Sequence, residues 1–143
     1  MIESLASRAD PRTAPRADEA TAFGRSLHVD CYGVSVALCD DLDFNYALLD
    51  DLTAHLGMHK QSPPFLFRSP EDKFPEKAGL SGWVPLIESG ISIHTLTVCG
   101  FVSIDVYTCG CLDEAEVTRF LTDRLNPSSV ETQYLIRGSR YHA

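Results

Sequence analysis

The sequence lacks the features that would place the protein in a membrane or on a nucleic acid. No apolar run among its 143 residues approaches the roughly 20 residues needed to cross a bilayer. The first residues include arginines and acids but no continuous apolar segment, so we expect no secretory signal. Only 12 Lys and Arg stand against 20 Asp and Glu, which argues against a phosphate-backbone partner. We therefore expect a cytoplasmic protein that binds neither nucleic acid nor membrane.

Disulfide and metal patterns are missing as well. The five cysteines are an odd number, no two of them are spaced as C-x-x-C, and Cys109-Gly-Cys111 lacks a second ligand pair at zinc spacing. His55 and His59 are four residues apart, but Gly57 between them marks the end of a helix. We expect reduced thiols and no metal cofactor.

The loops that hold phosphates and the serine elbow of hydrolases are also absent. The sequence contains no G-x-G-x-x-G, no G-x-x-x-x-G-K-[ST] and no G-x-S-x-G. The nearest approach to the last motif, at 33–37, falls within a predicted strand rather than at a strand-to-helix turn. We set these two functional classes aside.

The chain has the length of one domain, and its first residues differ in composition from the rest. Residues 1–23 hold three arginines and four acids among small residues and proline, without an apolar period, which is typical of a disordered extension. We expect a single folded domain over 24–143.

Within that domain, the apolar pattern changes between strand-like and helix-like. Five segments have strand-like patterns: 26–36, 80–87, 91–97, 101–107 and 130–136. A short edge strand is predicted over 65–67, and helical spacing is found over 40–57 and 113–126. Short gaps between the central strands favour antiparallel hairpins. We expect an α+β fold, a two-layer sandwich whose antiparallel β-sheet has helices packed on one face.

The segment 88–110 gathers residues that carry chemistry. Ser89 lies in a tight turn after Glu88, His94 lies on the following strand, and Cys109 ends the strand after that. Two adjacent antiparallel strands are expected to bring the turn, the imidazole and the thiol to one end of the sheet. Each residue alone also fits an ordinary structural role, because serine is common in turns and cysteine in cores. The residues alone leave both interpretations open.

The order of residues here matches a known family. Residues 88–95 read E-S-G-I-S-I-H-T, and residues 106–110 read V-Y-T-C-G. In sequence and spacing this resembles the bacterial S-adenosylmethionine decarboxylases, whose hallmark is approximately E-S-H-x-[ST]-I-H-T-W-P-E followed by a strand that ends in T-C-G. The resemblance extends over about 24–138. Matches outside the hallmark are Gly24, Arg25, Leu27, Asp30, Tyr32, Gly33, Gly79, Leu80, Ser81, Gly82, Val130, Glu131, Arg137 and Gly138.

The resemblance implies a proenzyme that makes its own cofactor. Ser89 would attack the carbonyl of Glu88, and elimination of the resulting ester would leave a pyruvoyl group at position 89, with chains of 1–88 and 89–143. In the family this group forms a Schiff base with the substrate amine and replaces pyridoxal phosphate. The resemblance gives His94 as the processing base, assisted by Ser81, and Cys109 as the proton donor to the substrate carbon. No metal is implied.

This chain departs from the family in the pocket for the nucleoside. Gly90 replaces the histidine after the serine, while Leu96 and Val98 replace the tryptophan and the glutamate of W-P-E. In the family these two residues hold the adenine and the ribose hydroxyls. Leucine offers no comparable ring, and valine accepts no hydrogen bond. Phe74 is the one match to the second adenine-stacking aromatic residue, in a proline-rich loop over 61–79.

Three functions remain open at this point. The first is pyruvoyl-dependent decarboxylation of S-adenosylmethionine for polyamine (spermidine) biosynthesis, and the second is decarboxylation of arginine or ornithine with the same cofactor and fold. The replacements at Leu96 and Val98 favour the second. The third is an uncleaved, non-enzymatic homologue, which retention of Glu88, Ser89 and the other processing residues argues against. The resemblance also implies a homodimer of processed two-chain units, with the site completed across subunits.

Overall fold

A computed structural model describes residues 19–142. Within this range, six strands form one antiparallel sheet in the order β2-β3-β4-β5-β1-β6. The strands are β1 Gly24–Tyr32, β2 Phe65–Arg68, β3 Leu80–Leu86, β4 Ser89–Leu96, β5 Phe101–Thr108 and β6 Ser129–Arg137. The helices are α1 Val36–Cys39, α2 Leu42–His55 and α3 Glu114–Leu125, and they pack on one face of the sheet. The predicted α+β two-layer sandwich is confirmed.

Aspartate caps begin both long helices where their sequences predict. The Asp41 carboxylate accepts a hydrogen bond from the backbone N–H of Phe44 at 2.9 Å, and Asp113 accepts one from Glu116 at 3.1 Å. The second long helix ends at Asn126, whose left-handed φ of 47° turns the chain before a proline. These caps fix the lengths of the two helices that cover the core.

The core lies between the helices and one face of the sheet. On β4, Ile91, Ile93 and Thr95 are buried, whereas Ser92 and His94 face the other side, as the alternation predicts. The leucines of α2 and α3 pack against this buried face. The opposite face, here called the open face, exposes aromatic and aliphatic side chains at Tyr32, Phe65, Phe67, Trp83 and Leu135.

The first predicted strand was too long. It ends at Tyr32 rather than at residue 36, because Gly33 has a φ of 66° and turns the chain away from the sheet. Ser35 then caps α1, its hydroxyl accepting a hydrogen bond from the N–H of Leu38 at 3.3 Å. The short edge strand predicted over 65–67 is present as β2.

The described part of the chain starts inside the segment assigned to the extension. The Phe23 N–H donates to the carbonyl of Gly138 at 2.9 Å, and the Phe23 ring packs edge-on against Tyr141. Ordered contacts thus include residues just before position 24, while 1–18 lie outside the described residues. No helix of residues 19–142 is long and apolar enough to span a bilayer.

Candidate active site

The peptide between Glu88 and Ser89 lies in a tight, strained turn. Leu86 and Ser89 pair across the β3–β4 hairpin, which leaves Ile87 and Glu88 as a two-residue connection. Ser89 has a φ of 138°, and within residues 19–142 only Asn126 is another non-glycine residue with positive φ. Such a backbone conformation costs about 1–3 kcal/mol in a residue with a side chain. The strain therefore falls on the residue whose peptide bond is marked for cleavage by the family resemblance.

The carbonyl of that same peptide is hydrogen-bonded to the end of β5. The backbone N–H of Cys109 donates to the oxygen of Glu88 at 2.9 Å. The residues after Cys109 are fixed in turn: the Arg25 guanidinium donates to the Gly110 carbonyl, and the Gly110 N–H donates to Thr108 Oγ1. A fixed N–H of this kind stabilises negative charge that develops on a carbonyl oxygen under attack.

The Glu88 side chain is held separately, by a residue that sequence reasoning did not place in the site. His59 Nδ1 lies 2.6 Å from Glu88 Oε1, and the His59 backbone N–H donates to Oε2 at 3.0 Å. The hydrogen bond from the His59 ring, with the backbone bond, lowers the pKa of the Glu88 carboxyl below its ordinary value. The two residues are 29 positions apart, and no sequence pattern connects them.

His94 belongs to a second group of residues. Its Nδ1 lies 2.9 Å from the hydroxyl of Ser81, its register partner on β3. His94 is exposed on the open face, five residues along an extended strand from Ser89, which corresponds to about 16 Å.

The expectation that the turn, the imidazole and the thiol meet at one end of the sheet was wrong for the imidazole. Ser89 pairs with Thr108 at the turn, and His94 pairs with Ser103. Because the strands are antiparallel, each step along β4 away from Ser89 is also a step along β5 away from Cys109. The structure brings Glu88, Ser89 and Cys109 together and leaves His94 apart from them.

The residues predicted to contact substrate lie at the His94 end. Leu96 ends β4, and Val98 lies in the short 3₁₀ turn that follows, with 70% of its surface exposed. The N–H of Thr97 donates to the carbonyl of Ala78 at 2.9 Å, which joins this turn to the loop that carries the half-exposed Phe74. We call Glu88, Ser89 and Cys109 the cleavage group. The pocket group comprises Ser81, His94, Leu96, Val98 and Phe74.

The side chain of Trp83 lies against Gly90, the residue that replaces the family's histidine. A Cβ placed on Gly90 would lie 2.7 Å from Nε1 of Trp83, the one tryptophan of the chain. The indole, 49% exposed on the open face, occupies the space that a side chain at position 90 would need. No sequence pattern indicates this contact, because the two residues are on different strands and are not direct register partners.

Metal-binding side chains do not cluster in the described part of the chain. Among residues 19–142, no group of three or more His, Cys, Asp and Glu side chains is arranged to hold a metal ion. Cys109 and Cys111 are free and exposed, whereas Cys31 is buried, and burial raises the pKa of its thiol to about 11. Cys109 is thus an exposed cysteine whose backbone N–H contacts the Glu88 carbonyl at the turn.

Comparison with known proteins places the chain in a class of lyases. The sequence model of one protein family, described as S-adenosylmethionine decarboxylase, matches residues 25–138. The fold and this match define the protein as a carboxy-lyase. The chain belongs to the S-adenosylmethionine decarboxylase family.

Individual relatives agree with this assignment. The chain is 32% identical to an S-adenosylmethionine decarboxylase proenzyme of Geobacillus sp. (strain WCH70) over 118 residues, 82% of this chain and 90% of the relative. It is 31% identical to the proenzyme of Thermoplasma acidophilum, over 80% of this chain and 85% of the relative. The crystal structure of the adenosylmethionine decarboxylase from Aquifex aeolicus superposes with a TM-score of 0.70 at 28% identity, covering 82% of this chain and 92% of that one.

Proposed function

We propose that this chain is a proenzyme that cleaves itself between Glu88 and Ser89, and that its mature form is a pyruvoyl-dependent S-adenosylmethionine decarboxylase. The observation that carries the proposal is the turn itself. Ser89 is strained at a φ of 138°, and the Glu88 carbonyl oxygen accepts the N–H of Cys109 at 2.9 Å. Strain in the peptide favours its rearrangement, and the N–H stabilises the oxygen as it gains charge.

The proposed cleavage proceeds in three steps, of which the first involves only Glu88 and Ser89. The Ser89 oxygen bonds to the Glu88 carbonyl carbon, the C–N bond breaks, and the hydroxyl proton ends on the freed amine. A base then removes the Cα proton of Ser89, and the ester C–O bond breaks to release the Glu88 carboxylate. Water hydrolyses the remaining residue to the pyruvoyl group and ammonia.

The base required by the second step is too distant within one chain. His94 is about 16 Å along β4 from Ser89, far beyond the roughly 3 Å reach of a proton-transfer contact. We propose that a homodimer with twofold symmetry resolves this separation by placing the partner's His94 beside Ser89, a contact that the symmetry repeats in reverse. The exposed apolar side chains of the open face, among them Trp83 and Leu135, supply a surface for that interface.

The mature site would join the two groups of residues. The pyruvoyl group supplies an electron sink for loss of carbon dioxide from an α-amino acid. Cys109 is exposed and lies one residue beyond Thr108, the register partner of Ser89, which supports its thiol as the group that returns a proton to the substrate carbon. The pocket group of the second subunit would contact the rest of the substrate.

A second candidate function keeps the cofactor and changes the substrate to arginine or ornithine. The observation that favours it is the side-chain chemistry of the pocket group. Leu96 and Val98 stand where the family holds adenine and ribose, and neither donates or accepts a hydrogen bond. The acidic balance of the chain, with a net charge of −8, is compatible with a cationic amino acid.

Intact mass spectrometry of the purified protein tests self-cleavage. We expect two fragments, corresponding to residues 1–88 and to residues 89–143 with a pyruvoyl terminus. A single uncut mass would overturn both decarboxylase proposals and support the uncleaved, non-enzymatic homologue. If the chain is cut, carbon dioxide release from S-adenosylmethionine, arginine and ornithine, measured side by side, decides between the two substrates.

A further inference from the structure

We propose that His59 is a positioning residue for self-cleavage, which holds the Glu88 side chain so that the Glu88 carbonyl stays against the N–H of Cys109. This inference rests on the proposed function, because it concerns the rate of the same cleavage. His59 would not touch the bonds that form and break. It would act through Glu88 alone.

The backbone around His59 is built as an extension of the sheet. The Ile87 N–H donates to the His59 carbonyl at 2.9 Å, and the Gln61 N–H donates to the Pro85 carbonyl at 2.9 Å. Lys60 and Leu86 form an antiparallel bridge between these two bonds. Residues 59–61, here called the clamp segment, therefore run alongside the end of β3 that leads into the turn.

The clamp segment pairs with the part of β3 that β2 does not reach. β2 pairs with Leu80–Trp83 only, so the outer edge of β3 beyond Trp83 has no partner from that strand. An unpaired edge next to a two-residue connection frays easily, because its backbone groups exchange with water. Pairing with residues 59–61 extends the ladder to the last residue before Glu88.

The side-chain contacts then reach the residue at the cleavage site. Both oxygens of the Glu88 carboxylate are engaged by His59, one by the ring at 2.6 Å and the other by the backbone N–H at 3.0 Å. Only 21% of the Glu88 side chain is exposed, whereas 75% of the His59 side chain is. A carboxylate accepts and never donates, so the ring nitrogen that faces it carries a hydrogen.

These contacts restrain the one peptide that has to react. On one side, Cys109 holds the carbonyl oxygen of Glu88, and on the other side His59 holds its side chain. The strain at Ser89 would relax if Glu88 could swing outward, and the carbonyl would then leave the N–H of Cys109. Small displacements of reacting groups lower rates strongly, by up to about a hundredfold for 1 Å.

Pulse–chase cell-free synthesis of the full chain measures the rate of cleavage directly. We expect His59→Ala to slow cleavage about tenfold, since a backbone N–H to Oε2 remains while the ring contact is lost. His59→Gln, which restores a side-chain donor, should recover part of the rate. His55→Ala is the matched control: His55 is a half-exposed histidine bonded to Glu116 on α3, and its loss should leave the rate unchanged.

A double-mutant cycle with Glu88→Ala separates positioning from a general loss of stability. If His59 acts through the Glu88 side chain, adding His59→Ala to Glu88→Ala should slow cleavage no further. An undiminished tenfold effect in that background, or an unchanged rate in His59→Ala alone, would overturn the inference. Thermal unfolding of each variant in an uncleavable Ser89→Ala chain confirms folding. An uncut wild-type chain is a separate outcome, because it contradicts the proposed function itself.

Discussion

The backbone N–H of Cys109 donates a 2.9 Å hydrogen bond to the carbonyl oxygen of Glu88. In the proposed mechanism the same residue therefore serves two reactions with two different groups. Its backbone stabilises the oxygen during self-cleavage, and its thiol later donates a proton to the substrate. The two contributions are separable, because a side-chain substitution leaves the backbone N–H in place.

The first prediction uses this separation at Cys109. Cys109→Ala keeps the N–H, so we expect normal cleavage and a large loss of decarboxylase activity. Cys109→Pro removes the N–H, and cleavage should slow by about 10²–10³-fold, the usual effect of losing one oxyanion donor. Mass spectrometry and carbon dioxide release measure the two steps. Equal cleavage rates in folded samples of both variants would contradict a role for the N–H.

The second prediction concerns pH and the Glu88 carboxyl. Hydrogen bonds from His59 lower its pKa in the folded chain, so ionised Glu88 stabilises the folded state above the ordinary value of about 4.3. This contribution is lost as the pH falls through the lower, folded-state pKa. In the uncleavable Ser89→Ala chain, urea unfolding between pH 6 and 3 should show an acid-dependent loss of stability that is smaller after Glu88→Gln. Identical pH profiles would contradict the prediction.

The third prediction tests the contact between Trp83 and position 90. Gly90→His restores the family residue, but its Cβ would lie 2.7 Å from the indole nitrogen, so we expect destabilisation of about 1–3 kcal/mol. Trp83→Val should remove that clash, and the double variant should be more stable than Gly90→His alone. Urea unfolding of uncleavable chains measures the difference. A fully additive pair would show that the indole does not fill this space.

Local sequence patterns were enough to predict most of the fold. The helix from Leu42 and the helix from Glu114 follow aspartates whose side chains cap them, and the buried residues of β4 alternate as a half-buried strand requires. The first strand was overextended because Ser35 and Val36 continue the alternation, whereas the left-handed φ of Gly33 ends it. Alternation of apolar and polar residues indicates which side chains are buried, but it does not show where the backbone turns away from the sheet.

The candidate site was predicted less completely than the fold. The order Glu88, Ser89, His94, Cys109 identified the family, but Ser89 was assigned to the turn, whereas in the structure it begins β4 and five extended residues separate it from His94. His59 and Trp83 were missed because each contacts a residue on a different segment of the sheet. Their side chains have no periodicity or motif of their own.

The fourth prediction concerns the substrate. Leu96→Trp combined with Val98→Glu restores the aromatic ring and the carboxylate that the family uses for the nucleoside, so turnover of S-adenosylmethionine should rise about tenfold. Turnover of arginine and ornithine should not rise in parallel. Leu96→Met with Val98→Leu is the control, since it keeps both positions apolar without adding an aromatic ring or a hydrogen-bond acceptor. No gain in the restored variant would contradict the assignment of these two positions to the pocket.

The last prediction tests whether His94 acts across a subunit interface. Two variant chains are produced together: His94→Ala, which retains its serine, and Ser89→Ala, which cannot be cut but retains its histidine. In a mixed dimer of the proposed twofold arrangement, the intact histidine of one chain would face the intact Ser89 of the other.

We expect the His94→Ala chain to be cut in the mixture and to remain largely uncut when produced alone. Chains labelled with different mass tags show which one is cleaved, and the Ser89→Ala chain should stay intact in every sample. As a control, a His94→Ala, Ser89→Ala double variant supplies no histidine and should give no rescue. Cleavage of His94→Ala alone at the wild-type rate would remove His94 from processing. If His94→Ala alone stays uncut and the mixture gives no rescue although native mass spectrometry of the tagged chains shows mixed dimers, His94 does not act across the interface.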